Sequence, residues 1–245
     1  MNIKKNLTFI FLFQKKFVTL QKFFIYMKKI FFILFITISF VSCNQKTKKE
    51  ESEKQTNTME TTNQIDYSSK NFEDLFQKTE TTNFNENVFN LIANAGILTS
   101  GDTNNYNSMA IGWGGFGIYF KKPTTFLFVR ANRYTLEFIQ KVKTYTITFY
   151  DTTYFDQIMH FGTMSGRGTD KMGTHRLHSV FTPLGNPAYK EANIIIECDL
   201  QQITTISPED YYFDYGKNFV TDAYKEAGDY HKIIFGEIKN IWTKK

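Results

Sequence analysis

Six stretches of apolar, β-branched and aromatic residues, each closed by glycine, proline or polar breakers, limit this chain to a sheet-dominated fold. They run near Ala93 to Thr99, Ser108 to Trp113, Thr125 to Val129, Tyr145 to Phe149, Asn193 to Gln202 and Ile233 to Ile241. Helical periodicity fits fewer segments: Thr135 to Val142, Tyr154 to Phe161, and a shorter one after Asp170. Strands that follow one another with few helices favour an antiparallel barrel over a doubly wound sheet. No G-x-G-x-x-G run stands between a strand and a helix, which removes the Rossmann alternative. A length of 245 residues leaves room for one such domain plus an appendage.

Three runs inside this pattern carry chemistry. Phe126 to Val129 reads as a buried strand and Leu136 to Ile139 begins an apolar helical repeat, so Arg133 and Thr135 stand at a helix N-terminus. Free backbone N–H groups and the helix dipole favour an anion there. About 35 residues later, Ser165-Gly166-Arg167-Gly168-Thr169-Asp170-Lys171 offers a hydroxyl, a guanidinium fork and an ammonium on a glycine-opened loop. Taken singly, these are also what a helix cap and a polar loop look like. The third run, Asn107 to Gly115, mixes strand residues with Gly112, Gly114 and Gly115, which allow a flat ligand to approach the backbone.

In order, Asn107–Gly115, Val129–Ile139, Ser165–Lys171 and Asp229–Ile238 resemble the flavin reductase-like proteins of the FMN-binding split-barrel fold, flavoredoxin among them. The resemblance extends from about Asn87 to Trp242. It implies a mainly β, six-stranded Greek-key split barrel with a few short helices, a homodimer, and FMN held noncovalently near the dimer interface. Carried over, Arg133, Tyr134 and Thr135 would hold the FMN phosphate from one side. Ser165, Arg167 and Lys171 would meet the phosphate and ribityl chain from the other. Asn107, Met109, Ile111, Gly112 and Trp113 would line the isoalloxazine, and His231 would be the catalytic-site histidine near the nicotinamide of NAD(P)H. Where the family often has Thr or Ser after the Met, this chain has Ala110 and Gly112. A single phosphate cradle without an adenine motif favours FMN over FAD. The stretch between Ser207 and Tyr230, with Tyr211, Tyr212 and Tyr215, aligns with no motif.

Charge narrows the partners. Seven of the 29 basic residues lie in the first 43, which carry no acid, so the remainder sets 22 basic against 24 acidic residues, a net charge of −2. A phosphate polymer needs a basic face, and nucleic acid is therefore excluded as a partner. The basic leader has its own meaning. Met27-Lys28-Lys29, the apolar Ile30 to Val41 and Ser42-Cys43 follow the layout of a secretory signal. Its apolar part, about 12 residues, is short for about 30 Å of hydrocarbon. Phe40 to Cys43 resembles a bacterial lipobox, which implies a diacylated Cys43 and a membrane-anchored domain facing the periplasm or cell exterior. Met27 is then the expected true start, and an amphipathic membrane helix over 1–26 is the alternative.

The expected organisation is a leader over 1–43, a flexible polar linker over 44–69, whose composition cannot offset chain entropy, and a split-barrel domain over 70–245. Phe72, Leu75 and Phe76 recur at helical spacing and should dock on the barrel. His175 and His178 are three apart without further ligands, so no metal site is expected. Cys198 lies in an apolar strand and reads as a buried structural thiol. The expected function is an oxidoreductase passing hydride or electrons from a nicotinamide or other donor through FMN. Because nicotinamides are cytoplasmic and a lipoprotein domain is not, the alternative is a tethered electron relay or a cofactor-free interaction module.

Overall fold

The computed structural model describes residues 66–224 and 229–245. Cys43, Met27 and the greater part of the expected linker lie outside the described residues. The linker's expected end at residue 69 is too late. Tyr67 is already tied down, its carbonyl accepting from Lys190 Nζ and its hydroxyl from Lys244 Nζ, each at 2.8 Å.

The described residues form ten strands rather than six. They are β1 (Phe76–Thr79), β2 (Gly96–Gly101), β3 (Tyr106–Ile111), β4 (Gly114–Tyr119), β5 (Lys122–Arg130), β6 (Thr144–Phe149), β7 (Ser179–Phe181), β8 (Pro187–Tyr189), β9 (Ile194–Thr205) and β10 (His231–Lys244). Six helices join them: α1 (Phe72–Leu75), α2 (Val88–Ala93), α3 (Tyr134–Val142), α4 (Phe155–Thr163), α5 (Lys171–Thr174) and α6 (Asp214–Tyr224). The extra strands are short or glycine-rich, where alternation is too brief to read. Gly112, Gly114 and Gly117 spell a G-x-G-x-x-G spacing, yet they lead into β4 and not into a helix. Ala93, expected in a strand, ends α2, because the Asn87 side chain caps that helix by accepting from the N–H groups of Phe89 and Asn90.

Eight strands make one antiparallel sheet in the order β3-β2-β6-β9-β10-β5-β4, with β1 added to β10. The fourteen-residue β10 is the hub. Its first half, His231 to Glu237, pairs with β5, its last four residues pair with β1, and β9 runs along its opposite edge. Ladder register shifts at Phe235/Gly236 and again between Ile238 and Asn240, as a sheet does where it must bend. Leu98, Met109, Leu127, Ile147, Ile196 and Ile234 point into the enclosed core, with Leu136 and Ile139 of α3 inserted among them. The expected docking of the Phe72 segment is present: Phe72, Leu75 and Phe76 pack on Val180, Ala188 and Ile195, although Phe76 already belongs to β1. Cys198 is fully buried, and burial pushes its thiol up to about 12.

Tyr145 explains one bend. It is fully buried, its hydroxyl shares a hydrogen bond with Thr125 Oγ1 at 2.7 Å, and that oxygen lies 2.0 Å from where a Cβ on residue 236 would stand. Only glycine fits at position 236 against this phenol. Gly236→Ala should lower unfolding free energy by roughly 1–3 kcal/mol, the usual penalty of overpacking. Adding Tyr145→Phe should recover part of that loss in denaturant titrations, since it removes the clashing oxygen.

Candidate functional site

The site grows out of β3, an edge strand with a helix on each face. Asn107, Met109 and Ile111 share one face by strand alternation, and α3 packs there with Leu136 and Ile139 beside Met109. Ser108 and Ala110 take the opposite face, where α4 lies: Ile158 and Phe161 pack on Ile97 and Ala110. The loop that follows α4 passes round the β3 edge toward the start of α3. Gly166 permits this, because a Cβ there would stand 2.2 Å from Asn107 Oδ1.

The result is a cavity of about 300 Å³ into which both anion runs converge, lined by Asn107, Met109, Asn132, Arg133, Tyr134, Thr135, Phe161, Met164, Ser165, Gly166, Arg167 and Lys171. Eight of the expected residues are thus brought together: Asn107, Met109, Arg133, Tyr134, Thr135, Ser165, Arg167 and Lys171. Four are not. Ile111 turns its side chain into the core, Gly112 and Trp113 sit at the β3–β4 turn, and His231 begins β10. Asn132, Phe161, Met164 and Gly166 line the cavity without having been expected. Phe161 and Met164 carried only an apolar helical signal, and their exposure to the cavity depends on where α4 ends.

Electrostatics distinguish the groups. Lys171 is 2 % exposed, and its ammonium donates to the Phe161 carbonyl at 2.7 Å. Among the described residues it has no carboxylate partner. Burial, with the nearby Arg133 guanidinium, pulls its pKa down to about 8. Arg133 is exposed and occupies the N-cap of α3, yet no side chain caps that helix. The Leu136 N–H turns back to the Arg133 carbonyl at 3.0 Å, so the N–H groups of Tyr134 and Thr135, with their share of the helix dipole, are left at the cavity without a side-chain cap. Thr135 is buried and accepts from Asn107 Nδ2 at 2.7 Å, which leaves its own hydroxyl hydrogen available. Arg167 differs: it pairs with Glu137, donates to the Asn132 carbonyl at 2.9 Å and lies 5.1 Å over the Tyr134 ring. Its charge is already answered, so it works as a wall more than as a free cation.

Outside the cavity, His231 stacks on Trp113 with ring centroids 5.0 Å apart and 29° between planes. Phe219 of α6 lies 6.4 Å from the same indole. His231 is neutral at ordinary pH, since burial, helped by Arg130 and Arg133, takes it down to about 4. His175 and His178 separate: His175 packs between Phe161 and Tyr189, and His178 Nδ1 bonds Glu191 at 2.6 Å.

The family model for the flavin reductase like domain matches residues 90–245, the part of the chain that holds both the cavity and β10. The chain belongs to the flavin reductase-like family. No curated protein sequence matches it. Among solved structures it is similar to an FMN-binding domain of a flavin reductases-like enzyme from Shewanella baltica, at 13% identity and TM-score 0.50, covering 69% of this chain and 76% of that one. It is also similar to flavoredoxin from Methanosarcina acetivorans, at 18% identity and TM-score 0.48 over 62% and 68% of the two chains. For the NADH:FAD oxidoreductase SgcE6 of Streptomyces globisporus the values are 16%, 0.45, 62% and 75%. The fold is the mainly β split barrel, and the family is one of flavin-related oxidoreductases.

Lys171 gives the cavity a pH dependence with two opposite signs. Its folded pKa lies below the ordinary lysine value of 10.5, so the empty protein gains stability as pH rises from about 8 toward that value. Over the same range the ammonium is lost and affinity for an anion falls. Titration with a phosphate ester from about pH 7 to about pH 9.5 should show weakening above about 8, and Lys171→Met should flatten that profile.

Proposed function

We propose that this protein is an FMN-binding oxidoreductase that passes hydride or electrons from a nicotinamide or other donor to an acceptor. The buried ammonium of Lys171, which meets no carboxylate among the described residues, carries this reading. A desolvated cation is costly unless an anion meets it, and here it shares a cavity with Arg133 and an uncapped helix N-terminus. These residues fit a phosphate monoester, and one such cradle suits FMN better than FAD.

Each side chain has a distinct task. Arg133 and Lys171 offset the phosphate charge, while Thr135, Tyr134 and Ser165 supply hydroxyl and backbone donors around it. Asn107, held by Thr135, and Met109 continue the lining along β3 toward the backbone of Ile111 and Gly112. Met109 keeps that stretch apolar and excludes water. Trp113 and His231 stand beyond it on the side where a donor would approach. FMN, when bound, supplies the hydride-accepting chemistry, and the protein supplies position and electrostatics.

Fluorescence titration of the full chain with FMN tests the reading. Stoichiometric binding is expected, with Arg133→Ala and Lys171→Met each weakening it about tenfold or more, the scale of a charge-assisted hydrogen bond. Arg167→Ala should matter less, because Glu137 already holds that guanidinium. No binding at about micromolar protein would remove the flavin reading.

We also propose that Cys43 is lipidated and that the protein is a tethered homodimer whose domain faces the periplasm or cell exterior. The leader from Met27 to Cys43 supports the anchor, and the exposed Ile118 and Phe120 near the β4–β5 turn support a dimer. Cys43→Ser should abolish incorporation of labelled palmitate and release the domain from membranes. Sedimentation of the detergent-extracted protein should give twice the chain mass.

A further inference from the structure

The tyrosine-rich stretch before β10 matches no motif, and the structure sets one of its tyrosines, Tyr224, against His231. Tyr224, buried at the end of α6, meets His231 Nδ1 through its hydroxyl. Arg130 from the end of β5 fixes where that hydroxyl stands. Its guanidinium lies 5.1 Å over the Tyr224 ring and donates to the Ala223 carbonyl at 3.3 Å and to Asp229 at 3.0 Å. One arginine thus ties the end of α6 and the residue pair before β10 to the same strand end. The imidazole is restrained by its stack on Trp113.

We propose that Tyr224 is a positioning residue: its hydroxyl donates to Nδ1, holds His231 as the Nε2–H tautomer, and leaves that N–H as a fixed donor beside Trp113 for a carbonyl-bearing substrate. The direction of the bond follows from the groups. A phenol O–H is a better donor than an imidazole N–H, and an imidazole nitrogen a better acceptor than a phenol oxygen. Burial keeps both partners neutral, lowering His231 with help from Arg130 and Arg133 against Asp229, and raising Tyr224 against Arg130. With Nδ1 engaged, the proton of a neutral imidazole sits on Nε2. An uncharged donor suits a carbonyl oxygen such as a nicotinamide carboxamide, and the half-exposed Trp113 offers a flat ring a stacking face. The identity of that ligand rests on the reductase reading, whereas the tautomer does not.

Long-range proton–nitrogen correlation spectra of the full chain read the tautomer directly, with His231→Asn assigning the signals. The unmodified chain should show the Nε2–H form alone, and Tyr224→Phe, which keeps the ring under Arg130, should show both forms. With NADH as the probe on the FMN-loaded chain, Tyr224→Phe should raise KM about tenfold with little change in kcat, as loss of substrate positioning requires. Mixed tautomers in the unmodified chain, or a single tautomer in Tyr224→Phe, overturn the proposal. An unmodified chain that leaves NADH unoxidised overturns the nicotinamide as ligand and as donor, while the spectra still decide the role of Tyr224.

Discussion

Strand β10 is the constraint on which the rest of the domain depends. Its fourteen residues hold ladders to β9 along one edge and to β5 and then β1 along the other, so the sheet is continuous only through it. Such a long strand cannot stay flat while neighbours wrap round a core, and the register shifts beside Gly236 and after Ile238 relieve the mismatch. Gly236 has a second cause in the phenol of Tyr145, which occupies the space of a side chain. The curvature of the sheet and the packing of its core are thus one problem solved at one position.

The cavity inherits its geometry from that frame. Because β3 is an edge strand, α3 can cover one face and α4 the other, and the loop after α4 can turn the edge. The loop delivers Lys171 into the protein, where its ammonium is buried near Arg133. Burial, and then the nearby Arg133 charge, lower the pKa of Lys171, which records that cost. A domain that held them only for packing would do better with an apolar side chain at position 171. A bound anion, as proposed above, would offset that cost, and the Tyr134 and Thr135 N–H groups at the start of α3 fit the same ligand.

Function and fold divide the titratable groups differently. Glu197, almost wholly buried, is satisfied by donors from Thr182, Asn186 and Asn240, so it knits β9 to β10 and to the loop before β8. Arg167, which reads as a ligand cation in the sequence, is engaged by Glu137 one helical turn into α3. His231 reads as a lone histidine at a strand end. In the folded protein it is one member of a group with Trp113, Tyr224 and Arg130, drawn from two strands, a helix and a turn.

By itself the sequence determined the class of fold and the two anion-seeking runs, because strand alternation, helix periodicity, glycine placement and charge type are local properties. It located β5, α3, β6, α4 and β10 to within a few residues for that reason. It missed β4, whose glycines hide the alternation, and the short β1, β7 and β8, which exist only through their partners. Tertiary structure alone decided that Lys171 is buried while Arg167 is answered by an acid. It likewise turned Ile111 inward and joined the tyrosine-rich segment to His231. Burial and pairing are relations between segments far apart in the chain, and they take effect only when β10 closes the sheet and brings those segments together.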